Sequence, residues 1–383
     1  MRTVDAAGLK IGDEQPTRIM GVLNVSQESP YKPSVFDDPG DAAAYVDAEL
    51  IEQGADIVDV GLESANKRFE VLSAQEELDR LDTAIETVES VSGDAVFSIE
   101  TRYHEVAEEA LKNGFDMVND ICGFADPEMP CVCSEYDVAV GKMASPPDLE
   151  RPGAIEDVDE IYDALHRNGL TEKTIVDPAF GGWSEEKTVE DDRETFRRLR
   201  EFRGLGQPIL VSINRKNFLR DLAGRSTEEA LPVSLAATSM AVERGAHVVR
   251  THDVAATRDA ALVGDAFTRE RLRDADAGVE ELDVTTVREA ARHLQAGPGP
   301  LETRESTPGA TDAVTRLVVV RDLDGDARTT LIDRARAAGL QVAETPDRLV
   351  LGGPVARLCD LPVDPDDPPG LAAAIEALGG LGG

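Results

Sequence analysis

Seven residues spread along the chain could act together chemically, and they fall into two sets. Glu100, Asn119, Asp177 and Lys216 combine two carboxylates, an amide and an ammonium. Such a mixture presents both donors and acceptors, and it can read a flat heterocycle of the aminopyrimidinone kind. Asn24, Arg250 and His252 form the second set. Arginine and histidine donate to phosphate oxygens. An asparagine carbonyl is a candidate ligand for Mg2+. The second set therefore suits a diphosphate. Any one of these residues could simply cap the helix that follows it. A whole set of polar groups at the ends of apolar runs needs partners, and a polar ligand supplies them.

The elements that must hold these residues are legible as an alternation. Apolar runs at 18–24, 56–61, 95–100, 115–119, 137–141, 174–177, 208–212 and 246–250 are rich in Val and Ile and show little period-two patterning. Strands buried on both faces read this way. Helical patterns lie between them at 41–53, 74–91, 104–113, 127–136, 156–168, 189–203 and 227–244, and a last one runs from 255 to about 273. Ser73 with Glu76 three residues on is a capping box. Gly54, Gly114, Gly169 and Gly245 each stop a helix ahead of a strand. Eight strand–helix units in a row predict an α/β fold of the (β/α)8 TIM-barrel type. The candidate residues then stand at the C-terminal strand ends, where such barrels carry their sites. An open doubly wound sheet would instead show G-x-G-x-x-G after its first strand, which is absent.

The barrel is expected over residues 1–296. Residues 297–312 are rich in Pro, Gly, Ser and Thr and read as a linker. Residues 313–383 read as a small α+β domain, with strands near 317–320, 340–342 and 348–351 and helices at 327–338 and 371–378. It shows no chemical cluster and suits a structural or dimer-contact role.

Charge limits the partners. The chain has 75 acidic against 39 basic residues, a net charge of −36, and the acids are dispersed rather than gathered in a tail. A surface of that kind fits high salt, where screening quenches self-repulsion. Nucleic acid and anionic membranes are excluded as partners. Four cysteines are too few for a disulfide scaffold. Cys122, Cys131 and Cys133 lack the C-x-x-C spacing or neighbouring histidine of a metal site and read as plain thiols. No signal peptide or membrane span is visible, so a cytoplasmic location is expected.

Seven motifs in order resemble dihydropteroate synthase: MGVLNVS at 20–26, GADIVDVGLES at 54–64, FSIET at 97–101, MVNDICG at 117–123, VDPAFG at 176–181, NRK at 214–216 and RGAHVVRTHDV at 244–254. The resemblance covers roughly residues 15–270. It implies condensation of 6-hydroxymethyl-7,8-dihydropterin diphosphate with p-aminobenzoate and release of diphosphate. It implies a pterin pocket at Glu100, Asn119, Asp177 and Lys216. It also implies a catalytic diphosphate site at Asn24, Arg250 and His252, with Mg2+ on Asn24, and a homodimer. Lys216 would serve both pocket and catalysis. Ser64, Ala65 and Arg215 are expected near the second substrate. Three departures stand out. Glu100 replaces the family's Asp. LESANK replaces the family's GESTRP after the second strand. SQESPYK replaces TPDSFS after the first. The alternatives are a pterin-dependent methyltransferase, against which Arg250 with His252 speaks, and a non-catalytic pterin-binding paralogue, which the altered loops favour.

Overall fold

The computed structural model describes residues 1–25, 32–63, 71–181, 187–274, 277–295, 307, 309–345 and 348–382. Packing divides the chain into two compact units, Met1–Glu270 and Arg271–Gly383.

The first unit is a (β/α)8 barrel preceded by a hairpin of β1 (Val4–Ala6) and β2 (Leu9–Ile11). Its strands are β3 (Arg18–Asn24), β4 (Ile57–Gly61), β5 (Val96–Thr101), β6 (Met117–Asp120), β7 (Ala139–Met143), β8 (Thr174–Asp177), β9 (Leu210–Val211) and β10 (Val248–Thr251). All neighbours pair in parallel, in the order β8-β7-β6-β5-β4-β3-β10-β9. A bridge between Val176 and Ile209 links β8 to the approach of β9 and closes the cylinder. The helices are α1 (Pro39–Tyr45), α2 (Ala74–Ser90), α3 (His104–Lys112), α4 (Met129–Glu135), α5 (Val158–His166), α6 (Val189–Arg197), α7 (Asn217–Ala223), α8 (Leu231–Glu243) and α9 (Val254–Phe267).

Local chemistry explains most element ends. Ser73 and Glu76 form the expected reciprocal cap of α2, and Thr188 with Asp191 does the same for α6. Pro130 and Pro232 sit in the first turns of α4 and α8, so these helices begin later than the periodicity suggests. The pattern expected at 41–53 continues past α1 as a wider π turn over Val46–Ile51. The one expected at 189–203 splits into α6 and a 3-10 stretch, Leu199–Leu205. Helix α7 was not anticipated. Gly54 and Gly245 both take φ of +100° with an arginine side chain, Arg258 or Arg203, lying where a Cβ would be. Only glycine fits there.

The bottom of the barrel is apolar. Met20, Ile57, Val96, Met117, Ala139, Ile175, Leu210 and Val248, one from each strand, form a single cluster, and Val4, Ala6 and Ile11 of the hairpin plug it. This layer is a packed floor rather than a pore. Beside it, buried Asp13 joins His247 Nε2 at 3.0 Å and Arg203 Nη2 at 2.8 Å, and His247 Nδ1 accepts from the Ile209 amide at 3.0 Å.

The second unit is α+β. A two-stranded ribbon, β11 (Arg273–Asp274) with β12 (Val279–Glu280), precedes α10 (Val287–Leu294) and α11 (Ala310–Ala313). Then come β13 (Thr315–Val320), α12 (Gly325–Ala337), β14 (Gln341–Thr345), β15 (Arg348–Pro354), α13 (Val355–Cys359) and α14 (Pro369–Gly379). The antiparallel sheet runs β13-β15-β14. Leu331, Leu349, Leu351, Leu371 and Ile375 are central to its core. Most of the segment expected as a linker lies outside the described residues, though part of its end forms α11.

Candidate active site at the strand ends

Strand register assembles the site. Asn24, Gly61, Glu100, Asn119 and Gly141 stand side by side on five adjacent strands. Side chains at one level of a parallel ladder share a face, so this row points into the barrel mouth. The two glycines keep the row open. A Cβ on Gly61 would lie 3.2 Å from Asn24 Oδ1 and 3.6 Å from Glu100 Oε1, and one on Gly141 would lie 2.9 Å from Asn119 Oδ1. The structure thus brings Asn24, Glu100 and Asn119 together.

One layer below, Asp59 was not singled out from the sequence, yet it organises the site. It is fully buried. Its Oδ2 accepts from Arg250 Nε at 2.7 Å and from Asn119 Nδ2 at 3.0 Å. Arg250 Nη2 reaches Glu100 Oε2 at 2.7 Å. The extra methylene of Glu100 is compatible with this contact. Among the described residues, buried Asp59 Oδ1 has no hydrogen-bond partner. A desolvated carboxylate oxygen left bare costs about 1–3 kcal/mol or more. The sequence signal was available: a carboxylate in the middle of the apolar strand Ile57–Gly61 is costly to bury without a partner.

Electrostatics follow from burial. Burial drives the Glu100 carboxyl above its usual range, against the pull of Arg250. Burial opposes the charge of Arg250, and Glu100 and Asp59 more than offset it, so the guanidinium stays charged. Burial lifts Asp177 to about 6, with the Ala179 amide and Lys216 opposing. Asp177 Oδ1 accepts from that amide at 2.8 Å. Burial and the nearby Arg250 bring Lys216 down to about 8. Its ammonium packs over Gly181, where a Cβ would lie 2.9 Å from Nζ. Burial and Arg250 hold His252 down at about 3, so its imidazole is neutral.

The remaining expected residues are placed differently. Arg215 is spent on structure. Its Nε and Nη2 hold both oxygens of Asp253 at 2.8 and 2.9 Å, and its Nη1 donates to the Thr227 and Glu228 carbonyls. Ser64 and Ala65 lie outside the described residues. Lys142 is one position out of phase with the inward row. Its ammonium donates to the carbonyls of Leu165, Arg167 and Gly169 around the end of α5.

Residues 20–252 match the family described as pterin binding enzyme. The chain belongs to the pterin-binding enzyme family. It is 32% identical over 265 residues to dihydropteroate synthase of Bacillus subtilis, covering 66% of this chain and 90% of that one. It is 34% identical over 262 residues to a probable bifunctional folylpolyglutamate synthase/dihydropteroate synthase of Halobacterium salinarum, 65% of this chain. The match spans only 31% of that longer relative. Among solved structures, it resembles dihydropteroate synthase from Coxiella burnetii in complex with pteroic acid (TM-score 0.58, 29% identity, 69% of this chain and 98% of that one). It also resembles the Thermus thermophilus enzyme in complex with 4-aminobenzoate (TM-score 0.57, 30% identity, 70% and 100%). These matches make the pterin-binding barrel a transferase-type enzyme. The second unit falls outside the matched residues.

Proposed function

We propose that the protein is a dihydropteroate synthase, joining 6-hydroxymethyl-7,8-dihydropterin diphosphate to p-aminobenzoate or a related arylamine. The observation that carries this reading is the inward row from Asn24 to Gly141, backed by the Asp59–Arg250–Glu100 network. Glu100, Asn119, Asp177 and Lys216 read the donor and acceptor edge of the pterin. Arg250, His252 and Asn24 hold the diphosphate. The C–O bond breaks with its electron pair leaving on diphosphate. The arylamine nitrogen then attacks the methylene cation and loses a proton. Stabilising the departing charge is the main device, with substrate positioning second.

Mg2+ fits the donors. Asn24 donates its amide nitrogen to Ser34, and its oxygen lies on the side of Gly61 and Glu100. One protein oxygen completed by phosphate oxygens and water suits this ion. When bound, Mg2+ would neutralise charge on the leaving group.

The setting follows the same reading. Dispersed acidity and likeness to a Halobacterium protein support an enzyme adapted to high salt. The cysteines are all free thiols, which suits the cytoplasm. Met240 on α8 and Leu262, Val263 and Phe267 on α9 are exposed, Phe267 to 81%. This apolar face supports a homodimer. Among the described residues no helix is long and apolar enough to cross a membrane.

The test is product formation in molar salt with Mg2+. Dihydropteroate and diphosphate should appear together, and only when the arylamine is present. Tight pterin binding without turnover would instead identify a non-catalytic paralogue.

A further inference from the structure

Behind the strand ends lies a hydroxyl that the reaction scheme does not use. Ser34 is fully buried. Asn24 Nδ2 donates to its Oγ at 3.0 Å, and the same Oγ lies 3.3 Å from His252 Nδ1. It therefore spans the first and last strands of the barrel at the level of the proposed diphosphate site. Its position is fixed by backbone. The Phe36 amide donates to the Asn24 carbonyl at 2.9 Å, and Val35 bridges Asn24 in parallel. Phe36 in turn packs on Tyr45 of α1, ring centroids 4.8 Å apart. On the other side, the His252 amide reaches Asn214 Oδ1 at 3.4 Å.

We infer that Ser34 is a positioning residue for the leaving-group site: its hydroxyl, tied to Asn24 and His252 together, keeps the imidazole proton on Nε2 and the Asn24 amide oxygen turned to the strand ends. A serine hydroxyl has one proton and two acceptor lone pairs. The Asn24 amide fills one lone pair. In the inferred arrangement the hydroxyl proton is given to Nδ1, the acceptor of a neutral imidazole, and Nε2 carries the N–H. An anion needs that donor, and a cation bridging it needs the Asn24 oxygen. Loss of Ser34 weakens the hold on both groups: a turned amide offers the cation a nitrogen instead of an oxygen, and the other imidazole tautomer offers a phosphate oxygen an acceptor instead of a donor. The inference rests on the diphosphate reading of this site.

The test is nitrogen NMR of histidine side chains in the full chain, with His252 assigned among the five histidines by a His252→Gln variant. The wild type should show His252 protonated on Nε2 alone, and Ser34→Ala should show both tautomers. Inorganic diphosphate with Mg2+, titrated calorimetrically, should bind Ser34→Ala about tenfold more weakly, in line with one lost hydrogen bond. Ser34→Thr should recover most of that affinity. A wild-type proton on Nδ1 overturns the inference without any variant. So does an unchanged tautomer in a folded Ser34→Ala. If the tautomer results hold while the wild type makes no dihydropteroate, the synthase reading fails and the role of Ser34 at an anion site stands.

Discussion

The two ends of strand β10 carry the same residue in opposite circumstances. His247 precedes the strand at the barrel floor, and His252 follows it at the mouth. Both are held neutral by burial. At the floor the acceptors are filled: His247 uses both ring nitrogens, and both oxygens of Asp13 are engaged, by His247 and Arg203, while among the described residues Arg203 Nε has no hydrogen-bond partner. At the mouth, Asp59 spends one oxygen on Arg250 and Asn119 and leaves the other bare. The carboxylate with both oxygens engaged thus lies at the end that holds the barrel together, and the one with an open oxygen lies at the end proposed to bind.

The largest expected effect is at the mouth. Arg250→Ala leaves Asp59 and Glu100 as uncompensated buried carboxylates, a cost of about 3–5 kcal/mol. With the diphosphate donor also gone, kcat/KM should fall by on the order of 10³-fold. Binding of pterin diphosphate should suffer far more than binding of free pterin, and equal losses would count against the clamp. At the floor, Asp13→Ala should lower unfolding free energy in urea by a similar ~3–5 kcal/mol and leave pterin affinity untouched. A changed affinity would show that the two ends are not independent. Asp177→Ala is a smaller change, about 1–3 kcal/mol of pterin affinity by calorimetry, with little change in Tm.

The mildest test is pH. Burial raises Asp177 to about 6. The ionised form, which accepts from the ligand, is present above that pH and is lost below it. Pterin affinity should therefore decline as pH drops through about 6, approaching tenfold per unit. In Asp177→Asn this component should vanish. An identical pH profile in the variant would assign the titration elsewhere.

Much of this was legible in the sequence because barrel strands are buried on both faces. Runs such as Arg18–Asn24 and Thr174–Asp177 match their strands at both ends. The register row was implicit in polar residues closing successive runs, which located Asn24, Glu100 and Asn119. What escaped was set by phase and by distant partners. Asp59 sits two residues inside its strand, where only the inward phase reveals it. Lys142 lies one residue out of phase, so it stabilises the end of α5 rather than the site. Arg215 has a suitable charge for a second substrate, but Asp253, which claims it, lies 38 residues away. The hairpin that plugs the floor has strands of three residues each, too short for periodicity to register.

The most direct measurement is a crystal structure of the chain with 6-hydroxymethylpterin bound. The ring should lie over Gly141 and Gly181, hydrogen-bonded to Asn119, Asp177 and Lys216, with its hydroxymethyl group toward Asn24 and His252. A ring seated elsewhere, or those side chains turned from it, would contradict a pterin pocket at the strand ends.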